Sequence, residues 1–365
     1  MKQNQTKLIS LGVAALLSLS ACLNSVSENN LPQEILTSLS TEIIRPRFER
    51  FTQTSEALAQ SASELCLNPS DGALDSTRSA WTDARSSWRA LEPFYFGPHT
   101  AFPDRIGKVI DFWPVREGAI DDLLTSDDTV TPEAFRLKGA LVRGVAPVEY
   151  LLFGPHASQL SAPSESDRLC AVLVGMTLDL NGLANDLNEL WVSGNAPYIE
   201  SFTQPTAGEF MNERGALSEL VNRMGFTLEN MRVDRLGTPL GDKVGGQLQP
   251  QLVESRYSGH SLNDLKAPLK TIEQLFFGSG TQDSLALVHQ PRLAQRTDII
   301  DTFRTRLAAA RQAIDEIEEP LTANLEPRAP VRNAFDRLKD LQTLIQGDIM
   351  NVLGLSLSFN DTDGD

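Results

Sequence analysis

The chain lacks the common catalytic signatures. It has no His-Glu-x-x-His helix pattern, no Gly-x-x-x-x-Gly-Lys-Ser/Thr loop and no Gly-x-Ser-x-Gly elbow. Their absence argues against zincin, P-loop and α/β-hydrolase chemistry. Histidine is scarce: His99, His156, His260 and His289 are the four, and none is followed by a glutamate at a metal-binding helical spacing. Cysteine is scarcer. Of the three, Cys22 lies in the N-terminal segment and only Cys66 and Cys170 remain downstream. Sequence gives no distance between those two, so a disulfide and a pair of structural thiols both stay open. Period-2 alternation is confined to short pieces such as 355–359, which excludes a sheet-based fold. Positive charge is also short. The formal net charge is −16, which disfavours nucleic acid and anionic lipid as partners.

The N-terminus reads as a leader rather than as part of the fold. Lys2 and Lys7 make a small positive region, and the apolar run 8–19 is too short to span a bilayer. Leu19-Ser20-Ala21-Cys22 then matches a bacterial lipobox. The expectation is that residues 1–21 form a lipoprotein signal peptide and that Cys22 is lipidated, anchoring the chain to a membrane. Losing Lys2 and Lys7 takes the charge from −16 to −18. Residues 22–34 are mostly polar and read as a tether. Leu23 stands where inner-membrane retention usually has Asp, which favours the outer membrane, facing the periplasm. That compartment permits disulfides.

Beyond the tether, helical periodicity dominates. Apolar residues recur at helical spacing over 35–65, with Pro46 as a kink or break. A second helix over 76–96 carries Trp81, Ala84, Trp88 and Leu91 on one face, and 97–117 reads as a loop holding Phe112 and Trp113. Thr131-Pro132-Glu133 opens a helix towards Phe153, with Pro147 forcing a kink or a fresh start near Gly144. Ser164 with Asp167 opens another to about Trp191, and 209–235 is a further one. Ser261 with Asp264 reads as the cap of the next, and the last two lie near 292–318 and 330–353. The fold class expected is all-α, as two antiparallel helical bundles over 35–200 and 201–355, followed by an acidic tail at 356–365. Asp361, Asp363 and Asp365 in that tail start like a calcium loop but lack its later ligands.

One pattern recurs. Glu92, Glu149 and Glu273 each stand four residues before a Phe-Gly pair, Phe96-Gly97, Phe153-Gly154 and Phe277-Gly278. Each reads as a helix end carrying an acid beside buried aromatics. Recurrence suggests internal duplication, and the plainer reading is a good helix stop used three times. His99 and His156 follow Gly-Pro and read as exposed loop histidines.

The segment Arg143-Gly144-Val145-Ala146-Pro147-Val148-Glu149 resembles the Gly-x-His-x-x-Glu signature of the imelysin family. Trp81-x-x-x-Arg85-x-x-Trp88-Arg89-x-x-Glu92, Asp111-Phe112-Trp113-Pro114 and Glu254-Ser255-Arg256-Tyr257-Ser258-Gly259 resemble further stretches of that family. The resemblance implies a duplicated pair of helical bundles and an envelope protein linked to bacterial iron uptake, with a peptidase role described for some members. It also implies a His/Glu site for iron or another divalent cation. Here the histidine position is Ala146, which supplies neither ligand nor base. Three readings follow. Glu149 binds a cation with Glu92 and Asp111; His99 or His156 replaces the missing imidazole; or the pocket serves another ligand or an envelope protein partner. The candidate site is therefore Gly144, Glu149, Glu92, Asp111, Trp113 and Arg89. Arg89 would hold a carboxylate, Trp113 would wall the pocket, and Glu149 would be the anionic ligand or pair with Arg143 or Arg89. The role expected is a non-catalytic accessory or binding protein in metal uptake. The alternatives are a metallopeptidase and a helical protein–protein interaction module.

Overall fold

The computed structural model describes residues 30–103, 105–162, 167–205 and 209–358. The leader, Cys22, most of the tether, Ser164 and the three tail aspartates lie outside them. The described residues are all-α and contain no strand. The first half runs through α1 (Leu31–Leu39), α2 (Arg45–Leu67), α3 (Asp71–Arg89), α4 (Ile106–Ile110), α5 (Glu117–Thr125), α6 (Pro132–Arg136), α7 (Val145–Phe153), α8 (Asp167–Asn188) and α9 (Glu200–Thr203). The second half runs through α10 (Glu213–Asn230), α11 (Ser261–Phe277), α12 (Pro291–Ala294), α13 (Thr297–Asp315), α14 (Arg328–Leu344) and α15 (Met350–Leu353).

Helix α2 packs against α3 and α8, and α7 closes that bundle; α14 packs against α10 and α13, with α11 beside α13. The two bundles meet where α3 lies on α11 and where α1 and the turn Glu92–Phe94 lie on α10. One apolar core runs through both. Trp81 and Trp191 are fully buried in it. Each satisfies its indole N–H: Trp81 donates to Val145 O at 2.9 Å, and Trp191 to His99 Nδ1 at 3.1 Å.

Pro46 does not break its helix. It has no N–H to offer the preceding turn, and the chain widens just before it. Arg45 N–H donates five residues back to Ser40 O, and Ser40–Ile44 forms a π turn that joins α1 to α2. Similar wide turns extend α8 over Glu189–Ser193, α10 over Met231–Gly237 and α14 over Ile345–Ile349. The region after Thr131 is more broken than its periodicity suggests. Thr131 caps α6, but α6 ends at Arg136 and α7 starts afresh after Gly144. The stretch 97–117 contains the short helix α4. Ser261 and Asp264 do not cap α11. Ser261 Oγ donates to Glu254 O at 2.6 Å, and Asp264 turns inward.

Cys66 on α2 and Cys170 on α8 are joined in a disulfide, with Cα atoms 5.6 Å apart and a sequence separation of 104. Cross-linking so long a loop restricts the unfolded chain strongly. The double replacement Cys66→Ala/Cys170→Ala is expected to lower unfolding free energy by about 2–4 kcal/mol, measured by urea titration. Unchanged stability would contradict it.

Candidate functional site

At the junction of the bundles sits a buried guanidinium. Arg85 on α3 has 2% of its side chain exposed. Its Nε donates to both oxygens of Asp264, at 3.1 and 2.9 Å, and its Nη1 to both oxygens of Asp111, at 2.9 and 3.0 Å. Nη2 reaches Glu254 at 3.4 Å. Asp264 comes from α11 and Asp111 from the end of α4, so one side chain bonds both halves. Asp264 is fully buried and also accepts from Ser255 Oγ at 2.6 Å.

Arg89 lies four residues on and shares the Arg85 face of α3. It donates to Glu254 and sits 3.2 Å from Asp111. Arg235, delivered by the wide turn after α10, donates to Glu92 at 2.6 Å and to Glu254 at 3.0 Å. Trp88 Nε1–H adds a bond to Asp111 at 2.9 Å. Burial alone would push the Asp111 carboxyl up, but Arg85, Arg89 and the Trp88 bond outweigh it and hold it at about 2. Burial opposes ionisation of Asp264 as well, and Arg85 and Arg89 again win, lowering its pKa. These acids are therefore ionised, and each is tied to a guanidinium.

Gly144 has a local task. Its φ is +88°, and a Cβ there would lie 2.1 Å from Ile110 O. Only glycine lets the start of α7 press on the backbone just before Asp111. Ala146 is buried, with no polar atom on its side chain. Glu149, one turn along α7, is 1% exposed. Its Oε1 accepts from Tyr257 N at 3.1 Å, Ser258 N at 2.9 Å and Ser258 Oγ at 2.8 Å. Burial pushes its pKa up to about 7, against the Ser258 bonds and the Arg85 charge. Glu149 is thus a partly neutral clasp from α7 to the 255–260 loop. It pairs with neither of the arginines proposed for it. Arg143 instead holds Asp179, at 2.8 Å through each of two nitrogens.

The histidines correct the sequence reading. His99 is fully buried, not an exposed loop residue. Burial takes its pKa down to about 3, so the ring is neutral. Its Nδ1 accepts from Trp191, which can only donate, so the proton sits on Nε2. His156 lies elsewhere, 2.9 Å from Asp121 and partly exposed. Glu273 makes a half-exposed ion pair with Arg311 at 2.7 Å. The three motif glutamates therefore do three different jobs.

Glu92, Asp111, Arg89, Trp113 and His99 line one cavity of about 200 Å³, together with Trp88, Tyr95, Arg235 and Glu254. Glu149 does not line it. A family-type metal does not fit the donors present. Among the described residues no group of three or more His, Cys, Asp or Glu could hold a metal ion. The acids that would serve are bonded to arginine, and Glu149 accepts from backbone N–H groups. Arg85, Arg235, Glu254, Asp264 and Ser258 were not singled out from sequence as site residues. Arg85 and Glu254 lay within the stretches that resemble the imelysin family, but nothing local showed that they met.

A pH test separates the Glu149 clasp from its surroundings. Its folded pKa of about 7 lies above the ordinary 4.5, so the unfolded chain releases this proton first. Stability from the group is full below pH 4.5 and is lost as pH rises to about 7. Neutral His99 has the opposite slope between about 3 and 6.5, so the comparison must be with Glu149→Gln, which leaves His99 unchanged. The native protein is expected to lose roughly 3 kcal/mol relative to Glu149→Gln across that window, by urea unfolding at pH 4.5 and 7.5. A pH-independent difference would refute the assignment.

The imelysin family model (Peptidase M75) matches residues 44–345. Among solved structures, a provisionally assigned iron-regulated protein A precursor from Parabacteroides distasonis superposes with a TM-score of 0.77 at 17% identity, covering 90% of this chain and 96% of that one. An imelysin-like protein from Psychrobacter arcticus superposes at 0.67 and 19% identity, covering 92% and 98%. Both likenesses are of fold. No curated protein matches at a significant level. The family match spans both bundles, the Gly144–Glu149 segment and the arginine–carboxylate junction, and the chain belongs to the imelysin family.

Proposed function

We propose that this protein is a non-catalytic binding accessory in bacterial iron or metal uptake, anchored to the outer membrane through Cys22 and facing the periplasm. Its working part is the cavity between the bundles. The observation that carries the non-catalytic reading is the state of the acids. Asp111, Asp264, Glu254 and Glu92 are bonded to Arg85, Arg89 and Arg235, and position 146 is alanine. A metallopeptidase needs a metal with an open position and a general base able to take a proton. A carboxylate held near pKa 2 by two arginines is a poor base, and an arginine-paired acid is a poor cation ligand. Family membership and the iron-regulated name of one structural neighbour support the link to iron.

The test uses the soluble chain from residue 30 onward and a strain lacking the gene. Calorimetric titration with iron, zinc and calcium is expected to show no stoichiometric site, and unfolded casein should remain intact. The deletion strain is expected to grow more slowly than its parent only when iron is limited by a chelator. A one-to-one metal site with peptide hydrolysis would overturn the non-catalytic reading. Equal growth under iron limitation would overturn the uptake role.

A further inference from the structure

The cavity has a pattern of polar atoms left over from the junction. Glu92 gives Oε1 to Arg235, and its Oε2 has no hydrogen-bond partner. Arg235 uses Nε and Nη2, and its Nη1 has none. His99 Nε2 likewise has none, and by the tautomer argued above it is a donor. The three side chains are at least nine-tenths buried, at 10%, 8% and 0% exposure. All three line the same cavity. A buried polar group without a partner costs stability comparable to a lost hydrogen bond or more, so a ligand that satisfied all three would gain from each of them.

The charges and walls narrow its chemistry. Three guanidinium groups, Arg85, Arg89 and Arg235, face four carboxylates, Glu92, Asp111, Glu254 and Asp264, and the further lining acid Asp234 pairs with Lys243 at 3.4 Å, which leaves one negative charge in excess. A bare anion would meet that excess. A bare cation would leave Arg235 Nη1 and His99 Nε2–H facing it. A molecule carrying both charges answers both conditions. Its ammonium would donate to Glu92 Oε2, and its carboxylate would accept from Arg235 Nη1 and His99 Nε2–H. The remaining walls are the rings of Trp88, Tyr95 and Trp113 with Leu91. Aromatic faces favour an ammonium and tolerate an apolar side chain. The cavity is small, about 200 Å³, which suits a small organic molecule.

We infer that this cavity binds a small amino-carboxylate zwitterion of the free amino acid class, its ammonium held by Glu92 and its carboxylate by Arg235 and His99. The inference rests on the cavity being the working site proposed above, and it adds the ligand class.

The experiment is calorimetry of the soluble chain with the twenty common amino acids, followed by the single-charge analogues of the tightest. For leucine these would be 4-methylpentanoate and 3-methylbutylamine. One-to-one binding by at least one amino acid is expected, with each single-charge analogue at least tenfold weaker. Glu92→Gln is expected to weaken binding at least tenfold. Trp113→Ala, at a partly exposed wall position that should not disturb folding, is expected to weaken it severalfold. Absence of binding by all twenty, or an analogue binding as tightly as its parent, overturns the inference. If Glu92→Gln fails to fold, the analogue series and Trp113→Ala decide. Failure here with an intact iron-limited growth defect overturns the ligand class alone. Binding without that defect supports the ligand class and overturns the iron role.

Discussion

The Arg85 guanidinium is the interaction on which the junction depends. A buried cation is costly unless it is paired and hydrogen-bonded. Arg85 meets that condition only where three parts of the chain meet: the end of α4 with Asp111, the start of α11 with Asp264, and the approach to α11 with Glu254. Two of these belong to the second bundle. The apolar core is continuous across the junction, but apolar contact is non-directional. The paired charges supply direction, because a slide of α11 along α3 would strand a carboxylate in the interior.

The same network determines what the site can hold. Each arginine that stabilises a carboxylate removes it from the pool of cation ligands. Gly144 brings α7 hard against the backbone before Asp111, and Ala146 then adds no donor. Glu149, the remaining motif acid, bonds backbone N–H groups of the opposite loop rather than an ion. What stays open is a small cavity with aromatic walls and a few polar atoms the network does not use.

The helices were largely legible in the sequence because their apolar faces repeat at helical spacing, as in the stripe from Val331 to Ile349 that α14 buries. Pro46 was read as a kink or break, and its accommodation by a π turn depends on packing that spacing alone does not encode. Asp264 shows the limit most clearly. Three residues after Ser261 it has the pattern of a cap, a local rule, yet it bonds Arg85, 179 positions away. His99 was misread for a similar reason. Gly-Pro before it signals a turn, and turns are usually exposed, but this one folds into an aromatic cluster of Phe48, Trp88, Tyr95 and Trp191. Glu92, Asp111, Arg89 and Trp113 were placed in one site by sequence and do line one cavity. Glu149 was placed with them and lies apart, because α7 turns its acid towards the Tyr257–Ser258 backbone.

The most direct measurement is a double-mutant cycle between Arg85→Met and Asp264→Asn, read by urea unfolding at pH 7. The network account expects each single variant to lose about 3–5 kcal/mol, since each breaks the buried Arg85–Asp264 pair. It expects the double variant to lose clearly less than the sum of the two. Single losses below about 1 kcal/mol, of the size of a surface pair, or strictly additive losses, would mean that the junction is held by apolar packing alone and that Arg85 is not its anchor.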